Sequence, residues 1–198
     1  MCASITGKVF DLLPHVEAMI RFGYHAASGM SEAEYRALWP KSVIQPSMYR
    51  GRFDQALLVD RTIDSAKLVA CGKIVEYVKF TDCTDLVLPP KGSDGKPLSC
   101  YVAFIQDGMR NQRRSVEECQ ALFEEDEVGL VTIEGLHLPV HIFQHYGVDI
   151  PGSRFDAFHA PSLGWFAHDL LRLDARVVQA RCLNAGSASR GSQVIPLS

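Results

Sequence analysis

The chain has 198 residues, of which 47% are hydrophobic and 22% charged. That composition is ordinary for a globular protein and lies well outside the disordered range. Twenty Lys and Arg against 23 Asp and Glu leave a formal charge of -3, so no overall positive field exists to hold a polyanion and generic nucleic-acid binding is disfavoured.

A chain of this length buries roughly 70% of its extended surface without covalent staples. Its six cysteines, at 2, 71, 83, 100, 119 and 182, form no C-x-x-C pair and read as small core hydrophobes. The start, Met1-Cys2-Ala3-Ser4, has no basic region followed by an apolar run, so no secretory leader is expected. No window approaches the roughly 18 uninterrupted apolar residues of a membrane span. The expectation is a soluble, reduced, cytoplasmic protein without a membrane partner.

In chain order, Leu12, Val16, Met19 and Ile20 recur at helical spacing and predict a helix over 11–22, with Asp11 at its start and Gly23 as its stop. Ser31 and Glu34 have capping-box spacing, flanked by Met30 and Tyr35 at staple positions. They open a second helix that Pro40 ends. Together the two predict an N-terminal helical hairpin. Residues 41–54 read as irregular, and Ala56-Leu57-Leu58-Val59 as a short buried strand. Asp64 and Ser65 cap a helix carrying Leu68 and Val69, stopped by Gly72. Ile74 to Phe80 and Leu86 to Leu88 are β-rich, residues 91–97 form a solvated loop, and Tyr101 to Ile105 is the clearest strand.

Ser115 and Glu118 repeat the capping-box signature and start a helix reaching about Phe123. Thr132 opens another, with Leu136, Val140 and Phe143 as its stripe and Pro139 weakening its middle. Strands are expected at Phe155–Phe158, Leu163–Phe166 and Arg176–Leu183, before a tail of small polar residues. Helices first and mixed elements afterwards predict one α+β domain over 1–198: the hairpin packed with a mixed, mainly antiparallel sheet and two further helices.

Chemistry is sparse. His137, His141 and His145 share one helical face at i, i+4, i+8, and His137 with His141 could ligate one metal ion. The glutamate of H-E-x-x-H is missing, and an uncoordinated polar face is the commoner reading, so no metal and no cofactor are assigned. A second group gathers near the C-terminus: Arg154 for an anion, Trp165 for stacking, His168 and Asp169 for proton transfer, and Ser187 and Ser189 in a glycine-bounded loop whose amides could cradle an oxyanion. Against it, Trp165 could fill the core and Asp169 cap a segment. Cys182 beside His168 suggests a thiolate and its base, but a buried structural cysteine is the commoner outcome. Arg110, Arg113 and Arg114 precede a strongly acidic run and read as a solvated loop.

Several local patterns occur together: Gly23-Tyr24, the segment Gly29 to Leu38, Leu130-Val131-Thr132-Ile133-Glu134-Gly135-Leu136, Gly152-Ser153-Arg154, Pro161-Ser162-Leu163-Gly164-Trp165 and Gly186-Ser187-Ala188-Ser189. In order and spacing they resemble a family of bacterial, mostly actinobacterial, proteins of about this length built on a domain of unknown function. The resemblance spans nearly the whole chain and implies one intact unit. Members often carry cysteine after Gly-Ser-Arg and after the tryptophan, where this chain has Phe155 and Phe166, so the resemblance implies no cysteine-dependent role there. The leading expectation is an accessory or small-ligand-binding protein with an anion held near Arg154 and Trp165. The alternatives are an acid–base enzyme, hydrolase-like, using His168, and a structural or protein-interaction module. A homo-oligomer is compatible with each.

Overall fold

The computed structural model describes residues 7–53, 55–106, 109–141, 147–166, 170–179, 187–189 and 195–196. Strand β1 (Val9–Asp11) leads into α1 (Leu13–Arg21), where the Asp11 carboxylate accepts the Leu13 amide at 3.0 Å. Gly23 then adopts φ +84°, a conformation that costs glycine little, and a one-turn helix α2 (Tyr24–Ala27) follows. Helix α3 (Glu32–Leu38) starts at the predicted capping box, with Ser31 and Glu34 each taking the other's amide. The expected pair of helices is thus three short ones. The expected irregular segment after them contains β2 (Ser42–Ile44), paired antiparallel with β1 in the register Phe10↔Val43.

Strand β3 (Gln55–Asp60) and helix α4 (Ser65–Cys71) form as expected. The Asp64 carboxylate takes the Ala66 amide, and Gly72 ends the helix. The β-rich stretch beyond yields only β4 (Ile74–Glu76) and the two-residue β5 (Thr84–Asp85). Leu86 and Leu88 stand exposed before Pro89, which cannot donate to a ladder. Strand β6 (Cys100–Gln106) is buried along its whole length, so its sequence is a continuous apolar run rather than an alternation. Helix α5 (Val116–Ala121) carries the second capping box. Strand β7 (Glu127–Gly129) precedes α6 (Thr132–His141), which runs through Pro139; Phe143 lies outside the described residues.

Strands β8 (Val148–Asp149) and β9 (Ser153–Arg154) come next. The expected strand at 155–158 is instead a turn, in which the Asp156 carboxylate takes the Phe158 amide at 2.7 Å. Strand β10 (His159–Phe166) and β11 (Leu170–Val177) are antiparallel over eight residue pairs. The strand expected at 176–183 therefore lies earlier in the chain, and residues 180–183 fall outside the described set. Two short strands end the chain, β12 (Ser187–Ser189) and β13 (Ile195–Pro196).

The fold is α+β with two main sheets. In the first, β6 is central: β3 lines one edge, β12 and β13 share the other, and β12 also pairs β7. The second has the order β4-β11-β10-β8, and its β4–β11 pair is the one parallel pairing among the described strands. One apolar core runs from Leu12 and Tyr24 through Leu57, Phe104 and Leu136 to Leu163 and Leu173. A smaller cluster of Val116, Cys119, Ala160 and Val178 seats α5 against the second sheet. Among the described residues no helix is long and apolar enough to cross a membrane.

Candidate functional site

Residues directly opposite each other in an antiparallel pair share a face. On β10 and β11 this puts Leu163, Leu171 and Leu173 on the core side. The other side is laid out in rows. Gly164 lies opposite Arg172. Ser162 lies between Asp149 and Asp174. Ala160 lies opposite Arg176. Among the described residues, a Cβ added at Gly164 would meet within 4 Å only the Cα of Gly147, at 3.9 Å. Gly164 on β10 and Gly147, which immediately precedes β8, together leave a hollow in the sheet face. Its volume is about 240 Å³, and Ser162, Arg172, Asp174, Arg176 and Asp149 line it, while Trp165, opposite Leu171, borders it from the row of Leu163 and Leu171 on the other face.

The charges in the hollow are paired. Arg172 Nη2 lies 2.5 Å from Asp174 Oδ2, and Arg176 Nε lies 3.4 Å from the buried Asp149 carboxylate. The Arg172 guanidinium also stacks on Tyr77, 4.6 Å from the ring centroid. The groove thus offers fixed guanidinium donors beside fixed carboxylate acceptors.

Of the residues singled out from sequence, Trp165 borders this groove from the opposite face of the strand and Arg154 does not reach it. Arg154 Nη1 donates to the carbonyls of Pro151 (3.1 Å) and Ser153 (2.9 Å), and Nη2 to Gln120 Oε1 (2.9 Å). Burial holds its guanidinium below the ordinary arginine value. The whole Gly152-Ser153-Arg154 motif has structural work. The Gly152 amide donates to the Leu130 carbonyl at 2.8 Å, and a Cβ there would lie 2.3 Å from the Gly129 carbonyl oxygen. Ser153 Oγ takes the Thr132 amide at 2.8 Å and donates to Asp85 at 2.6 Å, which caps α6 from another strand. His168, Asp169 and Cys182 lie outside the described residues, as does His145. Ser187 and Ser189 are placed in β12 by backbone alone.

His137 is fully buried, and both its ring nitrogens are engaged. Nε2 accepts the Asp60 amide at 3.1 Å, and Nδ1 donates to the Ile133 carbonyl at 2.8 Å. Burial pushes the ring's pKa down, so it stays neutral. His137 thus joins α6 to β3, with no ring nitrogen left over for a metal ion; His141 is placed only by its backbone at the end of α6. Next to it, Asp60 accepts from Thr62 and from the Cys100 thiol, and Glu134 accepts from Tyr101 Oη (2.9 Å) and the Val131 amide (3.0 Å). Among the described residues no group of three or more His, Cys, Asp or Glu could hold a metal ion.

Burial also governs the thiols. It raises the Cys100 thiol to about 12, helped by the Asp60 charge, and the Cys83 thiol to about 11. Neither is a thiolate at neutral pH. In the arginine segment, Arg110 pairs with the buried Glu127 at 2.5 Å, which spends its charge on the protein itself.

Sequence reasoning missed Arg172, Asp174, Arg176, Asp149 and Ser162. The available signal was Leu171-Arg172-Leu173-Asp174-Ala175-Arg176, an alternation of period two that marks a strand with one charged face. Compared with family models, curated proteins and solved structures, the chain matches none.

Proposed function

We propose that this chain is a small-ligand-binding protein whose site is the groove on the outer face of β10 and β11. The observation that carries this reading is the hollow itself. Two adjacent glycines remove side chains from the sheet face, while ordered charged groups surround the space. Small-molecule sites have this character: a concavity with an apolar wall and a few fixed polar groups. An accessory role in a reducing compartment such as the cytoplasm accompanies the proposal. It is supported by the free thiols of Cys71, Cys83, Cys100 and Cys119. The N-terminal helices stand away from this reading as scaffold, packed on the core through Tyr24 and Tyr35.

A screen of small polar metabolites against the isotope-labelled protein tests the proposal. Amide shifts from bound compounds should cluster at Ser162, Gly164, Arg172 and Arg176. Arg154→Ala should lower stability by about 1–2 kcal/mol, through the loss of charge-assisted hydrogen bonds, and leave the affinity of any hit unchanged. Hits that map elsewhere, or that vanish with Arg154, would move the site away from this groove.

A further inference from the structure

Helix α6 rests on the back of the strands that carry the groove. A Cβ at Gly135 would lie 2.4 Å from Ile150 Cδ1 and 3.7 Å from Leu163 Cδ1. Ile150 directly follows the lining residue Asp149, and its amide donates to the Pro161 carbonyl of β10 at 2.9 Å. Leu163 stands between Ser162 and Gly164 and pairs with Val148 of β8. With no side chain at Gly135 to act as a cushion, a displacement of α6 passes straight into β8 and β10, because a close-packed interior transmits strain.

Two residues on, His137 fixes where α6 stands against β3. The Asp60 amide can only donate, so the ring nitrogen that receives it, Nε2, carries no proton, and the single ring proton sits on Nδ1 facing the Ile133 carbonyl. A second proton must go onto Nε2, where it meets the Asp60 N–H head-on. Donor against donor ends the hydrogen bond between this ring and β3.

The titratable groups around the ring are Asp60 on β3, Glu134 on its own helix, and Tyr24 on α2, whose ring centroid is 5.5 Å away. Cys71 of α4 stands beside Tyr24, Cys100 of β6 and Tyr35 of α3 beside Asp60, and Tyr101 of β6 donates to Glu134. Helix α1 turns the apolar Val16, Met19 and Ile20 to the core. The Asp60 and Glu134 charges favour an imidazolium. Asp60 also offers it an acceptor. Its Oδ1 takes the Thr62 amide and the Cys100 thiol, while its Oδ2 is buried and makes no hydrogen bond among the described residues. The protonated ring therefore has a second arrangement, reached by leaving the Asp60 amide for the Asp60 carboxylate.

We infer that His137 is a proton-operated latch: neutral, it holds α6 against β3, and protonated, it releases the Asp60 amide and lets α6 shift the floor of the β10–β11 groove. Regulation of binding by this movement rests on the groove being the ligand site; the movement itself does not. Burial disfavours the charged ring and outweighs the two carboxylates, so the latch opens below pH 6.5.

The test follows the full-length, isotope-labelled protein by NMR as it is acidified from neutral pH, with protons as the only ligand added. The His137 ring nitrogens report the proton directly: Nε2 should pass from acceptor to N–H with a midpoint below 6.5 while the protein stays folded. The Asp60, Ile150 and Gly164 amides should move with that same midpoint, and the amides of the 91–97 loop should not. In His137→Gln, whose amide oxygen still accepts from Asp60, the common step should vanish from Ile150 and Gly164. In His159→Gln, which removes the histidine of β10 itself, it should persist. A ring that protonates while Ile150 and Gly164 stay still overturns the latch, as does a common step that survives in His137→Gln; either result leaves the groove standing as the ligand site. Loss of all folded signals before the ring titrates also overturns it, because the proton then acts by unfolding the chain.

Discussion

His137 illustrates how burial decides what one side chain does. Its spacing to His141 suits a metal pair, yet backbone groups 2.8 and 3.1 Å away take both of its nitrogens. Spacing along a helix reports which residues share a face; it carries no information about the Asp60 amide, which arrives from a strand 77 residues away. The neutral ring has a consequence for stability. Unfolded, the imidazole takes up a proton near its ordinary value of 6.5; folded, burial holds the pKa lower. Half-buried His15 is lowered in the same way, by burial opposed by Asp11. The unfolded chain therefore binds more protons below pH 6.5, so the histidine contribution is fully present above 6.5 and is lost as pH falls through the window beneath it. The urea midpoint should drop between pH 7.5 and 5.5, and His137→Gln should flatten part of that slope. An unchanged or rising wild-type midpoint on acidification would contradict this assignment.

Local elements were readable where their causes are local. Both capping boxes appear as predicted, because Ser31 with Glu34 and Ser115 with Glu118 interact within one helical turn. Asp64 and Gly72 likewise bound α4 as their chemistry suggests. Strand positions transferred less well. The apolar run at 176–183 suggested a strand, but the ladder occupies 170–177, where alternating charges match one solvated face. The motif Gly152-Ser153-Arg154 had an element-scale role that no single residue reveals. Its glycine lets the turn pass against β7: the Cβ position at Gly152 lies 2.3 Å from the Gly129 carbonyl oxygen and 2.7 Å from that of Leu130. These are backbone atoms, so relief requires moving a strand. Gly152→Ala should cost about 3 kcal/mol, at the upper end of ordinary overpacking, whereas Gly164→Ala should be near neutral. Chemical denaturation of the two variants checks the contrast, and equal effects would remove the close-approach argument.

At the scale of the molecule, the two halves of the chain share both sheets. Strand β6 pairs with β3 from the first half and with β12 and β13 from the second, and β4 runs parallel to β11 almost 100 residues later. Cutting the chain within the 91–97 loop would strip each piece of partner strands and of half the apolar core. Each fragment alone should show no cooperative melting, while the intact chain should unfold in one transition, measured by circular dichroism. Two fragments that each melt at the midpoint of the intact chain would establish independent units.

The amino-acid sequence by itself determined the composition class, the capped starts of α3 and α5, the bounds of α4, the buried strand β6 and the mixture of helix with mainly antiparallel sheet. Each of these follows from side chains acting within a few residues of themselves, or from apolar content summed over a window. Only the tertiary structure decided the groove. Its walls come from Val148 and Asp149, from Ser162 to Trp165, and from Arg172, Asp174 and Arg176, and they meet because of strand register. A slip of one residue would turn the arginines toward the core and the leucines toward solvent. Burial of Leu163, Leu171 and Leu173 against the rest of the molecule holds that register, so the site exists only once the whole core has closed.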